Sequence, residues 1–149
     1  MPDFTRKTAG HWLALLASAS LCASAYAHEL EIHGSNTVGA TLAPMLVSGY
    51  LAQQGNGSVS RRATGTENEQ ILLTETEQGP ISVLVAAHGS STGFRTLASG
   101  QAQIWASSRP VKAAEAEQVR QKADLTALES EHVIAIDGLA VLVHPENPI

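Results

Sequence analysis

From position 30 onward the apolar and polar positions change period every 10 to 20 residues, moving between strand-like and helix-like spacing. Residues 30–33 alternate and stop at Gly34, which predicts a short strand. Over residues 37–54 the apolar side chains Val38, Leu42, Met45, Leu46 and Tyr50 recur at helical spacing, and Gly55-Asn56-Gly57 ends the run. Pro44 and Gly49 weaken that helix without cancelling it. Residues 59–63 read as a strand, and 71–73 fit either state. Gly79-Pro80 marks a turn before residues 81–87, a β-branched run that suits a buried strand. Residues 93–99 predict a short helix closed by Gly100, and 102–106 a further strand. Residues 112–122, rich in Ala, Glu, Gln and Lys, predict a helix with Pro110 just ahead of its start. Residues 132–143 are mostly apolar, broken by Asp137-Gly138, and Pro145-Glu146-Asn147-Pro148 reads as a turn or linker. Strands alternating with helices predict an α/β fold with a mainly parallel sheet flanked by helices.

The chain ahead of this pattern has a different character. Arg6 and Lys7 form a positive segment, residues 11–21 are apolar over too short a stretch to span a bilayer, and Ala25-Tyr26-Ala27 has the small-x-small form of a cleavage site. Residues 1–27 are therefore expected to be a signal peptide cut after Ala27, which makes residues 28–149 periplasmic or secreted; the competing reading is an uncleaved anchor. Cys22 is the only cysteine, and bulky Leu21 before it argues against lipid attachment. One cysteine makes neither an internal disulfide nor a Cys-rich zinc site. A length of 149 residues with 44% apolar side chains fits one globular domain. Its formal net charge of −5 becomes −6 once Asp3, Arg6 and Lys7 leave with the signal. That acidic excess argues against nucleic-acid binding, which needs a basic face, and Trp12 and Tyr26 leave as well, so stacking surfaces are scarce. Any anion site must rest on local donors, since the overall field repels anions.

Three segments that follow predicted strands carry such donors: Gly34-Ser35-Asn36-Thr37-Val38-Gly39, Gly89-Ser90-Ser91-Thr92-Gly93 and Ser107-Ser108-Arg109. A helix N-terminus exposes unpaired N–H groups and the positive end of the dipole. Glycine admits close backbone approach, hydroxyls add donors, and Arg109 can pair with an oxyanion through two charge-assisted bonds. Taken singly, each loop equally suits a helix cap or tight turn. None carries the Gly-Lys-Ser/Thr of a nucleotide-hydrolase loop or the Gly-x-Gly-x-x-Gly of a dinucleotide site. Gly89 to Gly93 also matches Gly-x-Ser-x-Gly, the nucleophile elbow of α/β-hydrolases, with Asp137 and His144 following in the right order, although the chain is short for that fold. A further alternative is a non-catalytic secreted interaction module using the acidic stretch 113–131. His28 would be the mature N-terminus, able to chelate copper, but the proteins that do so are β-sandwiches. His33, His88, His132 and His144 share no ligand spacing and are expected to be exposed or capping. No metal or cofactor is expected.

The segments IHGSNTVGATLAPML, AAHGSSTGFRTLASGQAQIWASSRPVKAAEAE and HVIAIDGLAVLVHPENPI together resemble the first lobe of periplasmic phosphate-binding proteins of the ABC-transporter type, over roughly two thirds of the mature chain. The resemblance implies a type II periplasmic-binding-protein-like lobe, part of a two-lobed clamp that closes on inorganic phosphate and delivers it to a membrane ABC permease, with no catalysis of its own. It implies that Ser35, Asn36 and Thr37 form a first anion-binding turn and Ser90, Ser91 and Thr92 a second, with Ser108 and Arg109 beside the ligand. Several family members carry Asp where Ser108 stands, to accept the proton of hydrogen phosphate; a hydroxyl can accept it too. Asp137 matches a family position and reads as structural, on a strand leading toward the other lobe. In the family the chain crosses to a second lobe soon after the Asn-Pro motif, so residues 28–149 are expected to be an incomplete clamp.

Overall fold

The computed structural model describes residues 30–136, 138 and 142–147. The signal segment 1–27 with Cys22, and also His28 and Asp137, lie outside the described residues. The elements run β1 (Leu30–Gly34), a π-helical turn (Val38–Leu42), α1 (Ala43–Gln54), β2 (Ser60–Ala63), β3 (Glu69–Thr76), β4 (Gly79–Ala86), α2 (Ser90–Ser99), β5 (Ile104–Ala106) and α3 (Ala113–Val119). No described helix is long and apolar enough to cross a membrane.

The strands form one sheet in the order β2-β3-β4-β1-β5. β1 pairs in parallel with both β4 and β5, while β3 pairs antiparallel with β4 and with β2. The fold is α/β, but its sheet is mixed where the alternation of elements predicts a mainly parallel one. The reason is local: antiparallel neighbours need only a short turn, whereas parallel ones need a crossover. Glu77 and Gln78 supply that turn between β3 and β4, with Thr76 opposite Gly79, so the expected Gly79-Pro80 turn sits two residues early and those two residues already belong to β4. β3 is weakly marked in sequence because Glu69, Gln70, Glu75 and Thr76 flank its short apolar centre.

The helix expected over residues 37–54 forms in two parts. Ala43 N–H donates to the Val38 carbonyl five residues back, a π turn, and α1 then continues with Pro44 in its first turn. Proline has no N–H for residue 40 and its ring crowds that carbonyl, so the wider turn accommodates it. The buried face also differs from the expected one. Ala43, Pro44, Val47 and Leu51 face the sheet, whereas Met45, Leu46 and Tyr50 are more than half exposed. A helix apolar on nearly every side leaves the choice of face to the sheet.

One face of the sheet, with Ile32, Leu72, Val83, Val85 and Ala106, packs on Ala43, Val47 and Leu51 of α1. On the opposite face α2 packs on β1 and β5, where Phe94 meets Trp105 edge to face at 5.7 Å. Residues 131–136 hold no regular structure and are exposed, so the apolar stretch does not form a strand there.

Candidate functional site

The candidate loops leave the carboxyl ends of β1, β4 and β5, three adjacent parallel strands. After β1 the chain passes to α1 on one face, and after β4 to α2 on the other, so β1 lies where the connections diverge. Such a point opens a crevice at the strand ends.

Backbone contacts draw the loops together. Ser35 N–H donates to the Ala106 carbonyl at 2.7 Å, and Gly89 N–H to the Gly34 carbonyl at 2.7 Å. A Cβ on Gly34 would fall 1.8 Å from the Ala106 oxygen, one on Gly93 2.5 Å from the Gly34 Cα, and one on Gly39 2.7 Å from the Ala87 Cβ. These glycines therefore serve close packing of protein on protein rather than approach to a ligand. Gly89 differs: at φ +100° its Cβ position is open, with Asn36 Oδ1 its nearest neighbour at 4.0 Å.

The eight sequence-predicted residues divide accordingly. Ser35 is buried and its Oγ accepts the Thr37 N–H at 3.1 Å, so it caps the turn from inside. Asn36 and Thr37 are exposed, Asn36 toward the second loop. Ser90 and Ser91 open α2 behind a glycine cap, and their N–H groups meet no acceptor among the described residues. Ser90 Oγ lies 3.4 Å from Ser108 Oγ and accepts the Ser108 N–H at 3.3 Å. Ser91 Oγ accepts from Arg109 Nη2 at 3.4 Å. Thr92 Oγ1 instead accepts from Arg95 at 3.2 Å. The structure thus joins Ser90, Ser91, Ser108 and Arg109, and engages Ser35 and Thr92 elsewhere.

Arg109 is not a free cation. Its Nη2 and Nη1 donate to Glu115 Oε1 and Oε2 at 2.6 and 2.8 Å, and Nη1 also donates to the Pro110 carbonyl at 3.0 Å. The Arg109 hydrogen bonds, helped by the Lys112 N–H at 3.0 Å, hold the Glu115 carboxyl down at about 2. The guanidinium also stands over Trp105, 5.5 Å from the ring centroid, and Trp105 Nε1 donates to the Ser90 carbonyl at 2.7 Å. Sequence reasoning missed both Glu115 and Trp105. The signal for Glu115 was its place three residues after the helix-opening Lys112, where a carboxylate reaches back to the cap. A cavity of about 420 Å³ borders Thr37, Trp105, Ser108 and Arg109, and residues 130–135 also line it.

His33, expected to be exposed or capping, is buried, with Nε2 3.1 Å from Glu31 Oε2, because the interior strand β1 lies between β4 and β5 and is covered on both faces. Among the described residues no group of three His, Cys, Asp or Glu side chains could hold a metal ion. For the hydrolase alternative, Ser91 sits within α2, and among the described residues only Asn68 is a non-glycine with positive φ, so the strained elbow backbone is not found at Ser91. His144 is exposed and its Nδ1 accepts the Glu146 N–H at 3.2 Å. Compared with models of known protein families, with curated proteins and with solved structures, the chain matches none.

Proposed function

We propose that this chain binds inorganic phosphate, or a similar tetrahedral oxyanion, at the crevice between the loops after β1, β4 and β5. In this reading it is the first lobe of a type II periplasmic-binding-protein-like solute receptor that serves a membrane ABC permease and catalyses nothing itself. The observation that carries the reading is the start of α2: two N–H groups, of Ser90 and Ser91, that meet no acceptor among the described residues, beside the hydroxyls of Ser90, Ser91 and Ser108. Oriented N–H dipoles at a ten-residue helix favour an anion in an otherwise acidic protein, since they carry no net charge of their own. Asn36 and Thr37 bring further polar groups from the first loop, and Arg109 adds the one nearby cation of the third.

One lobe supplies one wall of a cleft, so affinity is weak where the opposing wall is missing. Titration calorimetry of the exported chain with inorganic phosphate, repeated with sulfate, is the direct test. The expected result is saturable binding that Ser90→Ala and Ser91→Ala each weaken. No saturable heat at millimolar phosphate would overturn the reading, and in that case the interaction-module alternative takes its place.

A further inference from the structure

Arg109 and Glu115 form a two-pronged pair in which carboxylate oxygens occupy the fork of the guanidinium, the geometry an oxyanion ligand uses. Of the five N–H groups of Arg109, the four on Nη1 and Nη2 are directed at Glu115, Pro110 and Ser91. An anion at the Ser90-Ser91 helix start therefore gains the two-pronged Nη1–Nη2 edge of Arg109 only by taking the place of Glu115, and otherwise meets the Nε–H or the 3.4 Å contact to Ser91.

We infer that Glu115 is a built-in competitor: it holds Arg109 in the absence of ligand and is exchanged for the bound oxyanion. The inference rests on the phosphate-site reading above and assigns its regulation to a residue outside the three loops.

Two features let the exchange proceed without losing the arginine. Arg109 has anchors that do not involve Glu115, because Ser107 Oγ accepts its N–H at 3.2 Å and donates to its carbonyl at 2.6 Å, while Trp105 lies under the guanidinium. Glu115, in contrast, sits on α3, a seven-residue helix with Val119 as its buried residue, so its first turn can shift at small cost in packing. Departure of the carboxylate leaves Lys112 N–H open at the head of α3 and removes a negative charge from the path of the incoming anion.

The test is phosphate calorimetry on four chains, the parent, Glu115→Gln, Glu115→Ala and Arg109→Ala, and on the Arg109→Ala/Glu115→Gln double variant, with thermal melts to confirm folding. Competition predicts that both Glu115 variants bind phosphate about 1.5-fold to fivefold more tightly than the parent, the range for freeing a partly exposed ion pair. It also predicts that Arg109→Ala binds more weakly and that adding Glu115→Gln to it gives no gain. Unchanged or weaker binding in the folded Glu115 variants overturns the inference and leaves the phosphate reading in place. Phosphate binding by none of the four chains overturns the reading itself. If Glu115→Ala fails to fold, Glu115→Gln, which keeps the shape and one acceptor, decides.

Discussion

Gly93 in α2 lies directly against Gly34 at the end of β1: a Cβ on Gly93 would sit 2.5 Å from the Gly34 Cα and 2.5 Å from the His33 carbonyl oxygen. That spacing is shorter than any carbon–carbon contact allows, and both neighbours are backbone atoms that cannot rotate away. Glycine to alanine inside a helix ordinarily stabilises by up to about 1 kcal/mol. Here the sign reverses. Gly93→Ala is expected to destabilise the fold by about 1–3 kcal/mol, the cost of overpacking. Urea denaturation of the two chains checks this, and equal midpoints would mean that α2 does not pack on β1 as described.

Trp105 ties the same region together from the other side. Its Nε1 donates to the Ser90 carbonyl at 2.7 Å, its ring meets Phe94, and Arg109 stands over its face. Trp105→Phe keeps an aromatic ring but removes the donor and leaves space, for an expected loss of about 1–3 kcal/mol. Because the Ser90 carbonyl and the Ser108 contact lie on the same turn, this variant also loosens the second loop against the third. Faster amide exchange at Gly89 and Ser108, whose N–H groups donate to the Gly34 carbonyl and to Ser90 Oγ, would report that loosening, with rates unchanged at the β2–β3 end of the sheet.

Acid should weaken the Arg109–Glu115 pair in a defined window. Glu115 is held at about 2 against its usual 4.5, so the folded state binds its proton less readily than the unfolded chain does. Stability from this group is complete above pH 4.5 and is lost as pH falls toward 2. Asp124, lowered by the hydroxyl and N–H of Thr126, pushes in the same direction. The comparison with Glu115→Gln isolates the pair: the stability difference between the two chains should be constant from pH 7 to 5 and shrink by pH 3. A difference independent of pH would show that the ion pair does not form in solution.

Periodicity located most of the elements and the loops between them, because β1 alternates up to Gly34 and β4 and β5 carry compact apolar runs. It found β2 within residues 59–63 but left β3 open at 71–73, where polar ends flank a short apolar centre, and it did not show that these strands pair antiparallel. The face of α1 was illegible for the opposite reason, too many apolar residues rather than too few. At the site, Gly34, Ser35 and Gly93 read as ligand-facing because a close backbone approach looks the same in sequence whether the neighbour is a phosphate or another strand. Glu115 stands only six residues after Arg109, but the pattern marks it as a capping residue and does not show that the third loop turns Arg109 back onto the first turn of α3.

The N–H groups at the start of α2 can be tested one at a time. Ser90 is the first residue of the helix, where proline is well tolerated because its missing N–H has no helical acceptor. Gly89 before it has ψ 149°, within the ψ range that a following proline accepts. Ser90→Pro and Ser90→Ala both lose the hydroxyl, and hence its contacts with Ser108, so the pair differs chiefly in the backbone donor. Their melting temperatures should therefore be close. If the anion rests on this N–H, Ser90→Pro should bind phosphate more weakly than Ser90→Ala by about 1.5–3 kcal/mol, the range for a hydrogen bond to a charged group. Equal affinities would remove the helix start from the binding site and leave the hydroxyls and Arg109 to hold the anion alone.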